Sequence, residues 1–202
     1  MIVRIFLVAL STLASFALIW QLLAGSHFAA QASPPTIRET ATPSSIPWGV
    51  SFDANGNVWV AEPGCDPAPT CNAQLQPAIA EYNRQNFTLA QNYTEPAGFS
   101  APLFLAVDSS GNIWFTEPAT NAIGELTVNN GNATWNQFIV PTSNATPYGL
   151  TFDLAGNLWF TELTASSIGE FNPATAQFAE TPTPAPNSNP YGIVGPDPST
   201  GS

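Results

Sequence analysis

A six-residue stretch occurs three times, and it limits the fold more than any other feature of the chain. Asn57-Val58-Trp59-Val60-Ala61-Glu62 returns as Asn112-Ile113-Trp114-Phe115-Thr116-Glu117 and as Asn157-Leu158-Trp159-Phe160-Thr161-Glu162. A Gly precedes each copy, three residues after an Asp. A second anchor opens each unit: Pro47-Trp48-Gly49, Pro147-Tyr148-Gly149 and Pro190-Tyr191-Gly192, with Pro102-Leu103-Phe104 as a degenerate copy. The prolines are spaced 55, 45 and 43 residues apart. The long first interval comes from an insertion between Glu62 and Ile79. Without it each unit has about 44 residues, the period of four-stranded propeller blades.

Each unit reads as four short strands with Gly, Asn and Pro at the joints, which leaves no room for helices. In the third unit the strands are residues 148–153, 157–162, 167–172 and 177–181. The first and second units supply 78–83 and 87–94, then 122–128 and 133–140. Asp153-Leu154-Ala155-Gly156-Asn157 reads as a tight hairpin whose Gly takes a left-handed conformation. Val58-Trp59-Val60 and Leu158-Trp159-Phe160 are apolar on both faces, as suits a sheet stacked between two others. The expectation is an all-β propeller: blade 1 at 47–101, blade 2 at 102–146, blade 3 at 147–189 and the start of a fourth at 190–202. Three blades and a start cannot close a ring of the usual four to eight, so the chain reads as an N-terminal fragment. If the ring stopped here, Ile168, Phe171 and Phe178 would lie on an uncovered face. Residues 33–46 form a tail. Within it, 36–42 echo a fourth strand and read either as a ring-closing strand or as a Pro/Thr-rich stalk.

Residues 1–32 read as a signal peptide. Arg4 precedes an apolar run, and Ala30-Gln31-Ala32 offers a cleavage site. The run also approaches membrane-spanning length, so an uncleaved anchor is the alternative, and only that alternative makes a membrane a partner. Either way the protein is expected to be secreted or extracytoplasmic. Cys65 and Cys71 then read as one disulfide within the inserted loop. Charged residues make up only 8% of the chain, against roughly 25% in an ordinary domain. There is no Lys, and the formal charge is −11. Phosphate binding needs clustered Lys and Arg, so nucleic acid is excluded as a partner.

Glu62, Glu117 and Glu162 recur at the end of the Trp strand. Three carboxylates from adjacent blades could hold a cation. The alternative is one local hydrogen bond per blade. Asp53-Ala54-Asn55-Gly56-Asn57 looks like a calcium loop but lacks its later Glu, so a hairpin turn is the better reading. Asn86, Asn92, Asn132 and Asn144 head Asn-x-Ser/Thr triplets, as chance alone provides in so Asn/Thr-rich a chain.

Taken in order, the Pro-x-Gly opening, the Asp-x-x-Gly-Asn turn, Trp-Phe-Thr-Glu and Ile-Gly-Glu resemble the streptogramin (virginiamycin B) lyase family and, close to it, NHL-type propellers. The resemblance covers about residues 46–202. It implies a seven-bladed ring, and a lyase that opens a cyclic depsipeptide antibiotic by Mg²⁺-assisted elimination. In such a reaction a base takes a proton beside a carbonyl and a metal or acid stabilises the resulting charge. The resemblance puts catalytic His directly after the repeat Pro in late blades. The matching positions here are Trp48, Leu103, Tyr148 and Tyr191, and none is His. The single His, His27, lies in the leader. No catalytic residue is therefore assigned in this chain. By the same alignment Trp48, Tyr148 and Tyr191 line the mouth of the central channel, able to stack on a macrocycle, cyclic peptide or glycan, unless they simply pack the inner strands. The rival functions are a non-catalytic extracellular binding module and a lactonase-type propeller with a central metal.

Overall fold

The Trp strands, apolar on both faces, become members of three antiparallel four-stranded sheets in a computed structural model that describes residues 38–43, 46–64 and 76–196. The strands of blade 1 are β1 (Val50–Phe52), β2 (Val58–Glu62), β3 (Ala78–Tyr82) and β4 (Leu89–Thr94). Blade 2 has β5 (Leu105–Val107), β6 (Ile113–Glu117), β7 (Ala122–Asn129) and β8 (Asn132–Ile139). Blade 3 has β9 (Pro147–Phe152), β10 (Leu158–Glu162), β11 (Ser167–Asn172) and β12 (Gln177–Pro182). Each sheet is a plain meander in chain order. From Glu39 on, the residues belong to one unit; of the unit before it only Arg38 is described. The leader, Cys65 and Cys71 fall outside the described residues.

The Asp turn explains the spacing of the repeat. Gly56, Gly111 and Gly156 have φ of 80°, 86° and 86°, which side chains resist. Each donates its N–H to the turn Asp carbonyl, at 2.9, 3.1 and 3.2 Å. Asp108 Oδ1 accepts the amides of Ser110 and Asn112 at 2.8 and 2.9 Å. Its Oδ2 accepts Asn112 Nδ2 at 2.9 Å and the indole N–H of Trp114 at 3.1 Å. Asp53 and Asp153 repeat the pattern, reaching Trp59 and Trp159 at 3.4 and 2.9 Å. A carboxylate with four donors needs no calcium, and an indole so held is fixed before it meets the next blade.

That indole fills the space between blades. Trp59, Ile79 and Tyr93 of blade 1 pack on Leu105, Ile113, Phe115 and Leu126 of blade 2. Trp114, Ile123 and Val140 of blade 2 pack on Leu158, Phe160 and Phe171 of blade 3. Trp59 stacks on Tyr93 and Trp114 on Phe138. In Ile-Gly-Glu, Gly124 and Gly169 leave room for Phe115 and Phe160, whose rings a Cβ would strike.

One expectation changes. Phe171 is fully buried against blade 2, in ring contact with Trp114 and Phe138, and Phe178 packs beside it. Ile168 is three residues from Phe171, so strand alternation puts it on the opposite face, where it pairs with Thr181 and not with an aromatic. Of residues 36–42, those described belong to no strand. The three described sheets each carry their own four strands, and the closing blade expected to receive the segment is not among them. Instead the Tyr82 hydroxyl donates to the Ala41 carbonyl at 3.3 Å.

Candidate functional site

The antiparallel meander brings the repeat Glu and the repeat Pro to one end of each blade, since Glu162 pairs with Pro147 across β10 and β9. The Asp turns lie at the other end. The candidate site is therefore the glutamate end, and the Thr of Trp-Phe-Thr-Glu builds it. Thr116 Oγ1 accepts the Phe104 amide at 3.2 Å within blade 2 and donates to the Tyr148 carbonyl at 2.8 Å in blade 3. Thr161 repeats this, accepting Gly149 N–H at 3.0 Å and donating to the Tyr191 carbonyl at 3.0 Å. Blade 1 has Ala61 at this position, so its junction lacks the hydroxyl stitch. Each stitch sets the next inner strand close by. A Cβ on Gly149 would lie 2.8 Å from the Tyr191 carbonyl, and one on Gly49 would lie 2.6 Å from that of Leu103.

Held in this way, Tyr148 and Tyr191 meet. Their hydroxyls are 2.7 Å apart and their ring centroids 4.3 Å. Phe104 adds a third ring, 5.2 Å from Tyr148 and 6.5 Å from Tyr191. Tyr191 is 53% exposed, so the cluster presents aromatic surface and hydroxyls to solvent. Of the positions expected at the mouth, two join this cluster. Leu103 does not, being fully buried. Trp48 is half-buried in blade 1 and anchored by its amide to the Ala61 carbonyl; among the described residues it is not one of the touching rings. Phe104 was missed because the degenerate Pro102-Leu103-Phe104 carries its aromatic one position late. The aromatic itself was the available signal.

Glu62, Glu117 and Glu162 are each fully buried. Among the described residues no three His, Cys, Asp or Glu side chains gather in a way that could hold a metal, so the three do not converge. Two positions along each outer strand from the one in register with the repeat Glu, the residue differs between blades, Asn92, Gln137 or Glu180, and Gln137 and Glu180 reach back to Glu117 and Glu162. Glu117 is well held. Ser100 N–H donates to its Oε1 at 2.7 Å and Gln137 Nε2 to its Oε2 at 2.8 Å. Burial raises its pKa and these two donors oppose the rise. Glu95 lies nearby, and burial together with the Glu117 charge pushes it up to about 8. Glu162 meets no amide or hydroxyl donor. It faces the Glu180 carboxyl, and burial plus that neighbour push it up to about 7. A fully buried carboxyl beside a half-buried one keeps its proton because burial and the neighbouring charge both disfavour its ionised form. Neither Glu95 nor Glu180 was singled out in the sequence, since only the fold brings them to these carboxylates.

At the turn end a groove of about 280 Å³ lies between Val107–Ser109 and Phe152–Gly156. Its carboxylates, Asp108 and Asp153, are already taken by Trp and Asn donors, so it offers no reactive group.

The virginiamycin B lyase family profile matches residues 36–200. No curated protein sequence matches. Among solved structures, a streptogramin B lyase is 28% identical with a TM-score of 0.62, covering 77% of this chain and 47% of that one. Virginiamycin B lyase from Staphylococcus aureus is 26% identical with a TM-score of 0.59, covering 73% and 44%. A catalytically inactive histidine-to-alanine variant of that enzyme, with quinupristin, is 26% identical with a TM-score of 0.58 and the same coverage. The chain thus spans about half the length of the solved relatives it matches. With the three-blade meander and the fixed order of motifs, these matches place the chain in the virginiamycin B lyase family.

Proposed function

We propose that this chain provides ligand-holding blades of an exported streptogramin-lyase-like propeller, with Tyr148, Tyr191 and Phe104 receiving a cyclic peptide. The observation that carries the reading is the paired hydroxyls, 2.7 Å apart, on an exposed aromatic cluster at the blade end where the repeat prolines meet. Aromatic rings stack on apolar and planar parts of a macrocycle, and the hydroxyls offer donors to its carbonyls. A catalytically inactive member of the family from Staphylococcus aureus has been crystallised with quinupristin, which makes that compound the natural probe.

In the proposed role the chain's own residues bind and orient. Elimination needs a base within reach of the proton it takes. The single His, His27, is outside the described residues, and the repeat carboxyls are fully buried. The residues described here do not fit Mg²⁺, because their accessible groups at this end are phenols and their carboxyls are scattered and partly protonated. We assign no step through that ion. The same cluster would serve a non-catalytic propeller that holds a peptide or glycan, whereas no ligands for the lactonase-type metal gather among the described residues.

Calorimetric titration with quinupristin tests the proposal. Tyr191→Ala is expected to weaken binding about ten-fold, on the scale of one aromatic contact. An unchanged affinity in that variant, or no binding by the parent chain, would remove the reading.

A further inference from the structure

The segment between β8 and β9 delivers Tyr148 to the aromatic cluster, and it is tied down at both ends. Asn121 Nδ2 donates to the carbonyls of Val140 and Thr142 at 3.2 and 2.9 Å, and Asn121 Oδ1 accepts the Thr146 amide at 3.1 Å. Midway, Thr142 donates twice to Glu180: its amide to Oε1 at 3.1 Å and its hydroxyl to Oε2 at 3.0 Å. Both Glu180 oxygens are therefore committed to the linker while the carboxyl also faces buried Glu162. We propose that Glu162 and Glu180 form a proton-operated clasp on this linker, closed while Glu162 keeps its proton against the Glu180 carboxyl and released when that proton is lost.

Among the described residues nothing else charged is placed to take over the role of that proton. On Glu162 the acting titratable group is Glu180 from β12; β9 and β11 present Pro147 and Ser167 at its register, and the linker presents only the neutral donors of Thr142. Once Glu162 loses its proton, a fully buried carboxylate faces the half-buried Glu180 carboxyl with no counter-charge among the described residues, and the chain relieves it by opening. Blade 2 supplies the control. There Gln137 occupies the register of Glu180 and donates to Glu117 at 2.8 Å, so that junction carries an amide where blade 3 carries a proton. Burial holds Glu162 up near 7, from a carboxyl's ordinary 4.5. Closed clasps thus hold a proton that open ones have lost, and closure is favoured in acid and weakens from about pH 4.5 through about pH 7.

Any effect on ligand binding rests on the aromatic reading above, so the test reads the linker itself. Residue-resolved amide exchange, corrected for intrinsic rate, is followed at Thr142 from about pH 5 to about pH 8. The parent chain is expected to lose protection there by ten-fold or more, roughly one proton of linkage. Glu180→Gln keeps an oxygen for Thr142 and offers Nε2 to Glu162, so its protection is expected to change by less than about three-fold over the same range. Glu162→Gln serves as the second variant and is expected to flatten the profile likewise. A parent profile as flat as the variants', or variants as steep as the parent, would overturn the clasp. A moving profile with no quinupristin binding would support the clasp and remove the binding proposal instead.

Discussion

The two ends of each blade carry equally regular sequence and behave in opposite ways. At the turn end, Asp53, Asp108 and Asp153 each meet the same four donors, all from within six residues. The Trp159 indole leads in holding the Asp153 carboxyl below its usual range; burial, the next largest effect, opposes it, and the Asn157 and Ala155 donors add to the lowering. At the other end, Glu117 and Glu162 are as fully buried as each other, but their partners arrive from other strands and linkers and differ between the two blades. A repeated residue with local partners has one physical state. A repeated residue with distant partners has as many states as there are neighbourhoods. The turn end is uniform scaffold, and the variation between blades collects at the glutamate end.

The largest expected effect tests the sameness of the turns. Asp108→Ala strands the buried Trp114 N–H and three other donors, and is expected to lower stability by about 3 kcal/mol in urea unfolding. Asp53→Ala and Asp153→Ala should fall within about 1 kcal/mol of it, and a wide spread would break the comparison.

Next comes the expected inequality of the glutamates. Glu117→Ala removes the acceptor for Ser100 and Gln137, and is expected to destabilise by about 2 kcal/mol near pH 8. Glu162→Ala removes a carboxylate that has no donor, and near pH 8 is expected to be close to neutral. Equal losses would mean that the two sites are alike after all.

The pH dependence should be smaller but of definite sign. Glu95 and Glu162 have raised values in the fold, so their contribution is complete below about pH 4.5 and is lost as the pH climbs through about 7 and about 8. Asp153 acts oppositely, its contribution fading only as the pH falls below its ordinary 3.8. The melting temperature is therefore expected to peak in mild acid and to decline by several degrees towards about pH 8. The smallest effect concerns the stitch. Thr116→Val is expected to lose about 1 kcal/mol and to loosen Tyr148, seen as reduced amide protection in β9.

The scaffold was legible in the sequence because its signals are local. The Asp-x-x-Gly-Asn-x-Trp spacing encodes a hairpin and an indole anchor within seven residues, and the structure returns it three times. The site was only half legible. Tyr148 and Tyr191 follow their prolines and were visible, while Phe104 sits one position off register. The pairing of Glu162 with Glu180, eighteen residues apart, depends on β10, β11 and β12 lying side by side. The misplacement of Phe171 was avoidable, since strand alternation alone separates it from Ile168.

One measurement bears most directly on the contrast between the ends: a carboxyl ¹³C NMR titration of the folded chain. Two glutamates are expected to titrate near 7 and near 8, assigned to Glu162 and Glu95, while Asp153 stays ionised below its ordinary 3.8. If every glutamate titrated near 4.5 and Asp153 at its ordinary value, the ends would not differ and the account would be wrong.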